Sequence, residues 1–180
     1  IFTSIHLGLI VACLWILFIN AIVGYQLWDD GTIRSVGFTV ATGLIFFIIT
    51  AYIALDTGLS ISGHFDSSLS GPNRNVGLYV LYQLAPLIFT VAFFVLESYL
   101  VFCILGEIKP MAYLIIAALL FTLAQLFNYV ASVHICDASS GKINGTLFQT
   151  FFNLSSVIML WVFWSSITED DWPTQNEITT

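Results

Sequence analysis

Only one formally charged side chain lies well inside an apolar stretch of this sequence. Glu97 stands in the run FFVLESYLV, where a carboxylate is costly unless it is protonated, paired or close to water. Such a group indicates either a proton or substrate route or a structural hydrogen bond between helices. The other apolar stretches offer amides and hydroxyls and no chain of acids, which favours the structural role. Gln125 and Asn128 are the expected intramembrane partners, because side chains three residues apart share one helical face.

Two acidic clusters, each next to a tryptophan, are candidate contacts for a basic segment of a partner. If the apolar stretches cross a membrane alternately, both clusters fall on the same membrane face. Solvated helix ends, with the tryptophans as interface anchors, are an equally good interpretation. The candidate partner contacts are Trp28, Asp29, Asp30, Glu169, Asp170 and Asp171.

The sequence contains no recognisable catalytic, metal or cofactor site. Nucleophilic catalysis needs a base beside a Ser or Cys and a group that orients that base, and no such arrangement can be recognised. The three histidines are scattered, and His134-Ile135-Cys136 lacks the second pair of ligands that a zinc site needs. Glycine-rich phosphate loops are also absent. We therefore expect a protein that is not an enzyme and that uses no cofactor.

Composition places the chain in a membrane. Of its 180 residues, 58% are hydrophobic and 8% charged, whereas soluble domains carry about a quarter charged residues. The formal charge of -7 argues against a nucleic-acid partner, which requires a basic surface. We therefore expect most of the chain to be embedded in a lipid bilayer.

Five apolar blocks are each long enough to cross a hydrocarbon layer of about 30 Å. Their continuous apolar character favours helices over the alternating strands of a barrel, and the short connections favour antiparallel neighbours. We therefore predict an all-α, polytopic membrane helical bundle that forms a single domain, followed by an acidic tail at 168–180. The predicted spans are 5–25, 36–54, 76–105, 111–133 and 147–167.

Some features within and between these blocks predict details of packing and orientation. Small-xxx-small pairs, which allow close helix approach, occur at Gly8 with Ala12 and at Gly37 with Ala41. Pro86 predicts a kink near the start of the third span. The positive-inside rule gives a tie. The sequon at Asn144 is a possible glycosylation site if its loop is lumenal, which would make the tail cytosolic.

Three motifs, in register with these helices, resemble one known family. They are Leu27-Trp28-Asp29-Asp30-Gly31-Thr32, the stretch from Asn128-Tyr129 to His134-Ile135-Cys136, and Phe163-Trp164 followed by Thr168-Glu169-Asp170-Asp171. Together they resemble the fungal chitin synthase export chaperones, also called export control proteins, over the whole chain.

The resemblance implies a seven-helix protein with a lumenal N-terminus and a cytosolic C-terminus, of which this chain would form the last five spans. Such a protein is a multi-pass component of the endoplasmic reticulum membrane. It binds a chitin synthase catalytic subunit, aids its folding, permits its export to the cell surface and stays with it at the plasma membrane. The family supplies no catalytic residues. A seven-helix receptor or a small-molecule transporter is the alternative from another functional class.

Overall fold

The computed structural model describes residues 1–25, 31–62, 64–65, 76–138 and 145–168. Within these ranges, five helices are long and apolar enough to cross a membrane, which confirms the predicted all-α membrane fold. They are α1 (Phe2–Gly24), α2 (Ile33–Leu59), α3 (Val76–Leu105), α4 (Ile108–Ala131) and α6 (Gly145–Thr168), and the short α5 (Ser132–Ala138) directly follows α4.

Capping, and not hydropathy, sets the ends of α2. The hydroxyl of Thr32 accepts a hydrogen bond from the Ser35 backbone N–H at 3.3 Å and starts the helix before the apolar block begins. At the other end, Ser60 adopts the left-handed conformation, with φ 50°, and its N–H donates to the Asp56 carbonyl at 2.8 Å. The helix therefore extends beyond the predicted span 36–54 on both sides.

The chain divides into two compact units, Ile1–Leu96 and Glu97–Thr180. In the first unit, α1 and α2 pack closely at Gly8. A Cβ atom built on Gly8 would lie 2.9 Å from Cδ2 of Phe47 and 3.2 Å from Cβ of Ala51. Ala12, one turn further along α1, is also buried. The first predicted small-xxx-small pair therefore lies at a helix contact.

Gly37 and Ala41, the second pair, are exposed, and a Cβ atom on Gly37 would meet no atom within 4 Å. Within the described ranges, this pair therefore brings no helix close to α2.

Aromatic rings join α1, α2 and the first part of α3. The Trp15 ring lies 4.5 Å from the Phe46 ring and 5.0 Å from the Phe89 ring, measured between centroids. Its indole N–H donates to Thr42 Oγ1 at 2.9 Å. At the end of α1, the Tyr25 hydroxyl donates to the Leu96 carbonyl at 2.6 Å. These contacts hold the three helices of the first unit together.

A π-helical turn precedes Pro86, the residue at which the sequence predicts a kink. Val80–Leu84 is π-helical, and Pro86 is the second residue after it. Proline has no N–H and its ring crowds the carbonyl four residues earlier, so a wider turn is a natural accommodation. A second π-helical turn, Leu100–Leu105, ends α3.

Gly106 makes the tight connection from α3 to α4. Its φ of 69° and ψ of 20° place it in the left-handed region, which glycine enters at little cost. Its N–H donates to the Val101 carbonyl at 2.9 Å. Glu107 then extends the chain into α4.

The second unit is built on the contact between α4 and α6. The hydroxyl of Ser156 donates to the Ala117 carbonyl at 2.9 Å, and both residues are buried. At the start of α6, a Cβ atom on Gly145 would lie 2.7 Å from Cα of Ser132. Glycine therefore lets α6 approach the end of α4 and the start of α5 directly.

Candidate functional site

The predicted acidic contacts lie outside the described residues. This applies to Trp28, Asp29 and Asp30 as well as to Glu169, Asp170 and Asp171. The possible glycosylation site, Asn144, lies outside them too. These six contacts and the sequon therefore remain predictions from the sequence.

Glu97 is almost completely buried. The residue is 2% exposed, and its Oε1 atom has no hydrogen-bond partner within the described part of the chain. A charged carboxylate without a partner would be very unfavourable there, because burial removes its hydration. We therefore treat Glu97 as a neutral, protonated side chain.

The expected hydrogen bonds from Glu97 to Gln125 or Asn128 are not formed among the described residues. Depth along the hairpin explains this. Counting back from the turn at Gly106 and forward into α4 places Ile116 level with Glu97. Gln125 lies about nine residues beyond that level, or roughly 14 Å at 1.5 Å per residue. The sequence predicts that these groups lie in neighbouring helices, but the prediction did not take their different depths into account.

Asp56 is the best satisfied buried acid among the described residues. It has 0% exposure, and its carboxylate accepts hydrogen bonds from the Ser62 N–H and the Ser62 hydroxyl, the latter at 2.7 Å. The Phe65 N–H donates to the same carboxylate at 3.0 Å. Asp56 thus fixes the polar segment after α2 against the end of that helix.

This role of Asp56 was not predicted from the sequence. An Asp in the last turn of a helix, followed six residues later by Ser in a glycine- and serine-rich stretch, is the only signal. That signal indicates a local side-chain to backbone contact, so Asp56 is a structural residue of this loop.

Two further amides were also missed. Gln149 and Asn153 are four residues apart on α6, so they share one face of that helix. Both are half-buried, and Oδ1 of Asn153 is enclosed with no hydrogen-bond partner among the described residues. The i, i+4 spacing was visible in the sequence. The structure adds that α6, which carries these two amides, packs against α4, which carries Gln125 and Asn128.

The described ranges contain no group of three or more His, Cys, Asp or Glu side chains that could hold a metal ion. Buried and half-buried polar groups that can hydrogen-bond are present in these ranges, among them Glu97, Asp56 and Asn153.

Within the described ranges, the spans have large apolar surfaces that are exposed. Only 11% of the apolar window of α6 is buried, compared with 33% for α1. Apolar side chains recur at intervals of three and four residues along one face of α6, and each of them is more than half exposed. Its members are Leu147, Phe151, Leu154, Ile158 and Trp161. This arrangement can contact lipid or another membrane helix.

Comparison with known proteins gives consistent results. The chain is 32% identical to a chitin synthase export chaperone of Chaetomium globosum over 94% of its own length and 49% of the relative. It is 31% identical to the protein of that description from Aspergillus fumigatus, covering 94% of this chain and 50% of the relative. For Yarrowia lipolytica the identity is 33%, covering 93% of this chain and 49% of the relative.

The chain thus spans about half the length of the curated relatives that it matches. No solved structure matches it. The family described as chitin synthase export chaperone matches residues 1–178, in agreement with the resemblance carried by the three motifs and with a role that is not enzymatic. The chain belongs to the chitin synthase export chaperone family.

Proposed function

We propose that this chain is the membrane region through which an export chaperone binds a chitin synthase catalytic subunit, called the client below. In this proposal the chaperone aids folding of the client in the endoplasmic reticulum and permits its export to the cell surface. It then remains with the client at the plasma membrane.

Family membership is the observation that carries this proposal. The surface of the spans supports it, because α6 has the smallest buried fraction of the five. A helical surface of that kind can cover the apolar spans of a client that would otherwise aggregate. The family description favours this function over the receptor and the transporter.

A trafficking experiment tests the proposal. The full-length gene is deleted in a fungus, and the client, fused to a fluorescent protein, is located by microscopy. We expect retention of the client in the endoplasmic reticulum and its return to the cell surface when the gene is restored. Normal export in the deletion strain would contradict an export role.

The acidic clusters are proposed to bind a basic segment of the client on the cytosolic face. The test replaces Asp29, Asp30, Glu169, Asp170 and Asp171 by their neutral amides and measures co-purification of the client at two salt concentrations. Attraction between exposed charges is screened by salt. We therefore expect weaker capture by the variant at low salt and little difference at high salt.

A matched control neutralises Asp66 and Asp137, which follow α2 and end α5 on the opposite predicted face. Capture by this control should equal that of the unchanged protein. Equal capture by the variant of the five acidic residues would show that these clusters are solvated helix ends.

A further inference from the structure

Four side-chain amides lie on the α4–α6 pair and form no hydrogen bond within the described part of the chain. All four are half-buried. We call them the amide patch: Gln125, Asn128, Gln149 and Asn153. Each amide carries two N–H donors and an acceptor oxygen, so the patch can both donate and accept.

Packing between the two helices brings the members of the patch together. The Phe127 ring lies 5.3 Å from the Phe148 ring and 5.2 Å from the Phe152 ring, measured between centroids. These stacked rings, with the hydrogen bond from Ser156 to Ala117, fix α4 and α6 side by side. The four amides come from the same turns as the stacked rings.

Helical geometry separates the amides from the rings. Residues advance by about 100° around a helix, so Gln125 projects roughly 160° away from Phe127 on α4. On α6, Asn153 projects about 140° away from Phe148 by the same rule. The rings therefore occupy one edge of the α4–α6 contact, and Gln125 and Asn153 occupy the other edge.

Depth in the membrane makes free amides unfavourable here. Asn153 lies about 12 Å along α6 from Gly145, and Gln125 lies about 9 Å from the end of α4, at 1.5 Å per residue. If α4 and α6 cross a layer whose apolar core is about 30 Å thick, both positions lie within that core. An unsatisfied polar group in hydrocarbon has a cost that acyl chains cannot relieve, because they contain no donors or acceptors.

The backbone next to the patch is also unusual. Asn128 lies in a π-helical turn, Phe127–Ala131, between regular α4 and α5. Such turns insert an additional residue, redirect the side chains around them and occur often at functional sites. The turn is packed against Gly145, where a Cβ atom would lie 2.9 Å from the Phe127 carbonyl oxygen. The irregular segment is therefore part of a closely packed platform.

From these observations we infer that the amide patch is a docking surface for a transmembrane helix of the client, and that this helix carries a polar side chain which hydrogen-bonds to the amides. The inference rests on the proposed function. A protein helix fits the site because only another polar group at the same depth can satisfy the amides. The neighbouring apolar residues of α6 then pack against the apolar part of that helix.

Leucine substitutions at the outer edge of the patch test this inference. Gln125→Leu and Asn153→Leu are made in the full-length protein, separately and together, and co-purification of the client is measured in mild detergent. Interhelical hydrogen bonds in membranes are weak, so we expect roughly three-fold weaker capture for each substitution and about seven- to ten-fold for both. Asn153→Gln retains an amide and should preserve capture.

Asn20→Leu is the matched control. Asn20 is an exposed amide near the end of α1, outside the patch, and its replacement should not change capture. Detergent unfolding of the double variant should show unchanged or higher stability, because leucine suits a membrane helix better than an amide. Client capture by the double variant equal to that of the unchanged protein would overturn the inference.

Photocrosslinking identifies the occupant. A photoreactive amino acid is placed at Thr150, an exposed residue of α6 between Gln149 and Asn153. Crosslinks to a transmembrane segment of the client support the inference, whereas crosslinks only to lipid, to another segment of the full-length chaperone or to a second copy of it overturn the inference. If the unchanged protein captures no client at all, the proposed function itself fails. That result differs from capture that is insensitive to the amides.

Discussion

Replacing Gly8 by alanine should destabilise the contact between α1 and α2, whereas the same replacement at Gly37 should not. Both glycines lie inside helices and both begin a small-xxx-small pair. A Cβ atom on Gly8 would lie 2.9 Å from Cδ2 of Phe47 and 3.0 Å from the Phe47 carbonyl oxygen. On Gly37 it would meet nothing within 4 Å.

The comparison isolates the steric effect. Alanine raises helix propensity by roughly 0.5–1 kcal/mol over glycine at both positions, so this gain cancels between the two variants. Forcing a methyl group into a closely packed contact costs about 1–3 kcal/mol. Gly8→Ala should therefore be less stable than Gly37→Ala by about that amount, or roughly five- to 150-fold in the unfolding equilibrium constant.

Reversible unfolding of the purified protein in mixed micelles, monitored by tryptophan fluorescence or circular dichroism, measures this difference. The unchanged protein provides the reference, and Gly37→Ala provides the matched control for helix propensity. Equal stability of the two alanine variants would refute the packing of α1 on α2 at Gly8.

Three further predictions concern buried polar groups. Asp56→Asn should destabilise the segment after α2 by about 1–3 kcal/mol, because it replaces a charged acceptor of three hydrogen bonds. Hydrogen exchange at the Ser62 amide should then accelerate at least several-fold. An unchanged exchange rate would contradict this role of Asp56. Glu97→Gln should preserve folding and client capture, since the side chain is treated as neutral, whereas Glu97→Lys should reduce the folded fraction in gel filtration because the site has 2% exposure. Lost capture by well-folded Glu97→Gln would indicate a functional carboxyl group. Ser156→Ala should cost about 0.6 kcal/mol in the same unfolding assay, since it removes one interhelical hydrogen bond to Ala117, and a loss of several kcal/mol would show a larger role.

The number and type of the membrane helices could be predicted from the sequence because each apolar block is continuous and of spanning length. The helix ends could not, since they depend on local capping. The hydroxyl of Thr32 starts α2 outside the apolar block, and the left-handed Ser60 ends it beyond that block. Hydropathy indicates which residues suit a lipid environment, whereas capping residues determine where the helical backbone begins and ends.

Packing partners were predicted only in part. The sequence marks Gly8 and Gly37 equally, but helix pairing decides which glycine is at a contact. Glu97 and Gln125 were assigned to one another by chemistry, yet their distances from the turn at Gly106 place them at different depths. The π-helical turn that contains Asn128 has no clear signature in the sequence, because it depends on how α6 packs against the end of α4.

Direct binding between this membrane bundle and the client is the central claim, and a co-expression measurement tests it most directly. The full-length chaperone and the client are produced together in cells that have no other fungal protein, extracted in mild detergent and separated by gel filtration. We predict that the two elute together and that the client, alone, elutes as an aggregate. A client that never elutes with the chaperone would contradict direct binding, and a client that is monodisperse without the chaperone would contradict the proposed aid to folding.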